Sequence, residues 1–123
     1  MATIELRIAP APGFVRTVRL VATAVARRAG MDEARVDELR LAVGEACARA
    51  VRRCEAEGVT DPVLVEIEEA APGIVVQVTD QACSEREDEP VVLALLRGLA
   101  DGVEVGPGPR GPGGCVRLEW LPL

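Results

Sequence analysis

At 123 residues the chain has room for one domain with an adequate core and too little for two. Apolar residues make up 49% and charged residues 28%, a globular rather than disordered composition. The net charge of -6 argues against a broad nucleic-acid surface, which requires a basic patch, so no direct nucleic-acid contact is expected.

Absent residue types exclude more. There is no Lys, His, Asn or Tyr, so all 14 basic residues are Arg. Without histidine there is no imidazole base, no Ser-His-Asp triad and no phospho-accepting histidine. Without lysine there is no P-loop and no Schiff-base chemistry. The four cysteines, Cys47, Cys54, Cys83 and Cys115, form no C-x-x-C pair and supply too few soft ligands for zinc, so no metal site is expected. Cys47 and Cys54 lie on one helical face and read as small core residues. No signal peptide is evident, so a disulfide framework is not expected, and the chain is read as cytoplasmic. No apolar run approaches the roughly 20 residues of a membrane span.

The first element is a strand. In "TIELRIAP", Ile4, Leu6 and Ile8 share one face, and Pro10 and Pro12 end the run. A helix follows in "GFVRTVRLVATAVARRAG", with Phe14, Val18, Val21, Val25 and Ala29 at helical spacing and Gly30 as the stop. Asp32 is the expected N-cap of a second helix. Its apolar stripe runs through Val36, Leu39, Val43, Ala46, Cys47, Ala50 and Cys54, and Gly58 ends it. "PVLVEIEEA" and "GIVVQVTD" flank "APG" as a hairpin. "QACSEREDEP" is an acidic connector, and "PVVLALLRGLAD" a short helix with Pro90 in its first turn. "GVEV" is a strand, "GPGPRGPGG" a Gly/Pro loop without regular structure, and "CVRLEWLP" the last strand. The order β-α-α-β-β-α-β-β predicts an α+β fold. About three helices cover one face of a mixed, mostly antiparallel sheet, in a single domain over residues 1–123.

Three stretches carry a resemblance. "LRLAVGEACARAV" is similar to a helix that reads roughly L-x-L-A-V-x-E-A-x-x-N-A-V. "VVQVTDQACSE" stands where V-x-D-x-G-x-G is expected, and "LLRGLADGVEVGPGPRGPGGCVRLEW" is similar to a helix followed by "DEVEV…GGTTVRL". On these, the whole chain resembles the ATPase-type domain of bacterial anti-sigma-factor serine/threonine kinases. These belong to the superfamily shared by gyrase, heat-shock chaperones, histidine kinases and mismatch-repair proteins. The resemblance implies that superfamily's sandwich.

It also implies a nucleotide site, and here the residues depart from the pattern. Glu45 stands at the position of the catalytic base. Arg49 stands where an Asn would hold magnesium, and a guanidinium has no acceptor to offer a hard cation. Asp80 corresponds to the residue that bonds the adenine amino group. Ala82 and Ser84 replace two glycines that let the backbone approach the nucleotide. The Gly-rich phosphate loop is replaced by "CSEREDEP", whose Glu85, Glu87, Asp88 and Glu89 would repel a triphosphate.

Plainer readings stand beside these. Glu45 reads as half of an ion pair on a helix face shared by Glu38, Arg49 and Arg52, turned away from the apolar stripe. Arg49 lies one turn from it. Asp80 reads equally as a turn cap. Arg49, Arg52 and Arg53 read as a solvated cluster, "SEREDEP" as a solvated loop, "GPGPRGPGG" as a flexible hairpin tip, and Trp120 as core or an interface anchor. The expectation is a regulatory protein-binding domain of the anti-sigma type with lost or impaired kinase activity and no bound cofactor. Its partners would be a sigma factor or an anti-anti-sigma protein of the STAS type. Members of the family often form homodimers, which leaves a homodimer as a further expectation. Two alternatives stay open. One is a divergent ATP-dependent serine/threonine kinase in which Glu45 activates the hydroxyl, Asp80 reads adenine and Arg49 neutralises phosphate. The other is a pocket beside Asp80 for some other small molecule.

Overall fold

The structure, a computed structural model, describes residues 3–70, 73–84 and 90–122. Alternation places its strands. In β1 (Thr3–Ile8), Ile4, Leu6 and Ile8 turn to the core while Glu5 and Arg7 stay exposed. β2 (Val63–Ala70) and β3 (Gly73–Thr79) form the expected hairpin, and β4 (Gly102–Gly106) and β5 (Cys115–Trp120) a second antiparallel pair. The five strands lie in the order β1-β2-β3-β5-β4, with every neighbour antiparallel, so the sheet is not mixed. The register aligns Leu6, Val65, Val78, Val116 and Val105 in one row across the sheet. Val65, Val78 and Val116 at its centre are buried under the helices.

The helices are α1 (Val15–Arg28), α2 (Glu33–Glu57) and α3 (Pro90–Leu99). α2 is the spine. Val36, Leu39, Val43, Ala46, Cys47, Ala50 and Cys54 are all at most 1% exposed. Its N-terminus is capped as expected: Asp32 Oδ1 accepts the Arg35 amide at 3.0 Å, satisfying one of the free first-turn donors. Gly58 closes the helix in the left-handed region at φ 66°, where a Cβ would be strained.

α1 keeps the middle of the expected stripe, with Val18 and Val25 buried and Val21 packed against the core, and departs from it at both ends. Val15, Val18, Ala22, Val25 and Ala26 face the core, while Phe14 is 47% exposed and Ala29 is exposed. Pro12 opens a short 3-10 turn (Pro12–Phe14), so Phe14 lies outside α1, which begins at Val15. Trp120 belongs to the core at 1% exposure, and its indole Nε1 donates to the Leu99 carbonyl at 3.0 Å, tying the end of α3 to β5. Among the described residues all four cysteines are free, and no helix is long and apolar enough to cross a membrane.

Candidate functional site

Where α2 passes the ends of β3 and β5, three charged side chains leave the solvent. Asp80 follows β3 and is 1% exposed. Its backbone amide donates to the Gly114 carbonyl at 2.8 Å, which fixes the strand end. Both carboxylate oxygens are engaged. Oδ1 accepts the Ala82 amide at 3.0 Å, and Oδ2 accepts Arg53 Nε at 3.0 Å. The first bond is the turn cap foreseen for Asp80. The second is an ion pair with little access to water, since the Arg53 side chain is 10% exposed. Burial pushes the Asp80 carboxyl above its ordinary range, and the Arg53 charge, the Ala82 amide and Arg49 pull it back.

Arg49, one helical turn before Arg53, is 3% exposed. Its Nη2 donates to the Gly113 carbonyl at 2.8 Å. The expectation of a solvated Arg49–Arg52–Arg53 cluster is thus corrected. Only Arg52, 54% exposed, lies on the solvent face. Arg49 and Arg53 sit one turn apart, flanking the apolar stripe, and turn inward under the Gly/Pro loop. The Glu45 carboxylate is bonded by Arg52, seven residues on, at 3.1 Å. Arg49, one turn from Glu45, directs its Nη2 to the Gly/Pro loop. Glu45 stays half-exposed and outside the cluster.

The loop at 107–114 has no regular structure, as expected, but it is not a projecting tip. Gly111 is buried, and a Cβ there would run into the Ala82 carbonyl oxygen and the Cys83 backbone. A Cβ on Gly113 would meet Arg49 and Arg53 guanidinium nitrogens, each at 3.2 Å. The loop holds itself through the Gly108 amide on the Gly111 carbonyl at 2.7 Å. At its apex Arg110 pairs with Asp61 at 2.8 Å. The glycines are what let the backbone lie against Ala82 and the two arginines.

Ala82 is fully buried beneath this loop. The next two amides, of Cys83 and Ser84, donate to the two Glu57 carboxylate oxygens at 2.8 and 3.0 Å. Arg53 reaches the Ser84 carbonyl at 3.4 Å. The structure thus gathers Arg49, Asp80 and Ala82 from the sequence-predicted set. Arg53, Glu57 and Gly111 complete the site, and the sequence reading missed their roles. The signal was the spacing Arg49, Arg53, Glu57, four residues each, which marks one helix face beside the core stripe. The acidic residues Glu85, Glu87, Asp88 and Glu89 lie outside the described residues.

Comparison with known proteins fits this architecture. The fold aligns with the RsbU and RsbW domains of Rv1364c from Mycobacterium tuberculosis at a TM-score of 0.78 and 19% sequence identity. The alignment covers 98% of this chain and 32% of that one, so the chain spans about a third of that protein's length. None of the curated proteins matches the sequence significantly. Residues 8–120 match the histidine kinase-like ATPase domain, and the chain belongs to that family.

Proposed function

We propose that the chain is a regulatory protein-binding domain of the anti-sigma type whose nucleotide pocket is closed by its own side chains. The observation that carries this reading is Arg53 on Asp80. The carboxylate that would accept an adenine amino group is already bonded to a guanidinium, in a position at most 10% exposed. The residues present do not fit a magnesium-bridged nucleotide. Arg49 presents only donors where a metal needs an oxygen, and its Nη2 donates to the Gly113 carbonyl. Gly111 seats the loop on Ala82, where backbone would have to part for a ligand. Glu45 bonds Arg52 and takes no part in the buried cluster.

A regulator of this kind acts through its surface. The RsbW name borne by the relative's domain supports a sigma factor or an anti-anti-sigma protein as the class of partner. Two measurements test the reading. Calorimetry with ATP and magnesium is expected to give no heat, and micromolar, magnesium-dependent binding would overturn it. Purified sigma factors and STAS-type proteins of the same host, titrated one by one, are expected to include a partner binding at micromolar or better. Uniform failure would remove the regulatory assignment while leaving the closed pocket intact.

A further inference from the structure

β4 lies at an edge of the sheet, paired with β5 alone. Which of its backbone groups point outward follows from the alternation of an antiparallel ladder. The Asp80 amide bonds the Gly114 carbonyl, so the even-numbered residues of β5 direct their backbone groups to β3. The Glu119 carbonyl accepts the Asp101 amide, so the odd-numbered ones face β4. Gly102, Glu104 and Gly106, which pair with Glu119, Arg117 and Cys115, therefore turn their amides and carbonyls to β5. Those of Val103 and Val105 point off the edge, and among the described residues nothing outside the sheet bonds them.

The same two residues carry the apolar surface of this edge. Val105 ends the row that holds Val65, Val78 and Val116; those three are buried, yet Val105 is 38% exposed. Val103 is only partly buried against the core. On the helix side of the sheet α3, which packs on β4, leaves Val91 and Leu95 exposed. The other face of β4 carries one charge, the exposed Glu104. Arg117 stands opposite it on β5 but gives its ion pair to Glu119, and among the described residues Glu104 has none.

We propose that this edge receives an extended segment of a partner protein as a sixth strand, with an apolar, a basic and an apolar residue in succession. β4 itself dictates the pattern. Residues opposite Val103 and Val105 share the helix face and continue the apolar layer, and the residue between them sits opposite Glu104. β5 already shows the pattern in place, with Val116, Arg117 and Leu118 opposite Val105, Glu104 and Val103. A second copy of β4 does not fit, because full-length antiparallel pairing sets Glu104 against itself. Main-chain bonds to Val103 and Val105 supply affinity, and the alternate side chains supply specificity. This mode of binding requires neither a particular class of partner nor a closed nucleotide pocket.

Nuclear magnetic resonance on the nitrogen-labelled full chain tests the proposal. The probe is a peptide blocked at both ends, Ser-Thr-Val-Arg-Val-Thr-Ser, titrated to about 2 mM so that even a Kd near 1 mM is resolved. The amide signals of Val103 and Val105 are expected to shift, and their exchange with solvent to slow at least about twofold, since both gain acceptors. The same peptide with glutamate in place of arginine is expected to bind at least about fivefold more weakly. Glu104→Arg should reverse that preference, the glutamate peptide then binding the more tightly. Position 104 is exposed, so circular dichroism should show the variant folded. Unmoved Val103 and Val105 signals at the highest peptide concentration overturn the proposal. So do shifts centred on another surface, such as the β1 edge, or binding indifferent to the charge at position 104.

Discussion

Arg53 Nε lies 3.0 Å from Asp80 Oδ2, and neither group has much access to water. The pair joins the long helix to the end of β3. A buried pair of this kind adds little over an apolar contact, but removing one partner strands a buried charge.

Arg53→Ala is therefore expected to cost about 3 kcal/mol in urea unfolding near neutral pH. The double variant Arg53→Ala with Asp80→Ala should cost less than the sum of the two single changes. The pH dependence has a definite sign. Burial already holds the folded Asp80 pKa above its unfolded value, and loss of Arg53 raises it further. An acid shifted upward favours folding below its unfolded pKa and loses that contribution as pH rises through its folded pKa. The Arg53→Ala deficit should then be smaller at about pH 4 than at about pH 8. A deficit constant with pH would show that Asp80 is not the stranded charge.

The glycines make a separate test. Gly111→Ala directs a Cβ at the Ala82 carbonyl oxygen and places it 3.0 Å from Cys83 backbone atoms. Backbone cannot swing aside as a side-chain tip can, so a loss of about 1–3 kcal/mol is expected. Gly98→Ala, on the exposed face of α3, meets nothing within 4 Å and should gain about 0.5–1 kcal/mol from helix propensity. Equal effects at the two positions in urea titrations would count against the seating of the loop on Ala82.

The sheet and α2 were legible in the sequence because burial there follows a simple period. Val36 through Cys54 recur at helical spacing, and Ile4, Leu6 and Ile8 alternate. The two ends of the α1 stripe, Phe14 and Ala29, were misplaced. A 3-10 turn occupies Pro12–Phe14 before the helix, and Phe14 falls outside the core while Val18 and Val25 stay in it. At the site, Asp80 caps its turn as one of its two readings had it, but Arg49 and Arg53 were read as solvated and are buried. A helical wheel places an arginine only by angle. It cannot see that a glycine loop more than fifty residues later folds down over Arg49 and Arg53 and buries them. That contact is tertiary, and its local traces are the Arg49, Arg53, Glu57 spacing and a run of glycines, neither of which names the other as its partner.

Thiol chemistry reports on the core. Cys47 is fully buried, and burial pushes its pKa up to about 12. Cys54 is fully buried too, and burial again raises its pKa. Cys83 is exposed beside the site. At about pH 8 iodoacetamide should modify Cys83 at least about 100-fold faster than Cys47, since reaction needs an accessible thiolate. Peptide mapping by mass spectrometry after timed quenching reads the order directly. Early modification of Cys47 would mean that α2 opens far more readily than its packing implies.

The C-terminal strand is held by a second, more exposed carboxylate. Asp101 Oδ2 accepts Arg35 Nη2 at 2.8 Å and the Leu121 amide at 2.7 Å, while Arg35 also donates to the Leu121 carbonyl at 2.6 Å. The Arg35 hydrogen bond, followed by the Leu121 amide, holds the Asp101 carboxyl below its ordinary value of 3.8. The sign is opposite to that of Asp80. A depressed carboxyl contributes stability above its unfolded pKa and loses it as pH falls through its folded pKa. With the Asp101 side chain 36% exposed, solvent screening limits the contribution to at most about 1 kcal/mol. Asp101→Asn should therefore be less stable than the natural chain by up to that amount near pH 7, with the gap closing below about pH 4 as the natural carboxylate is protonated. Urea midpoints taken across this range measure it. A gap that persists in acid would assign the effect to the Leu121 amide bond alone and remove Arg35 from the account.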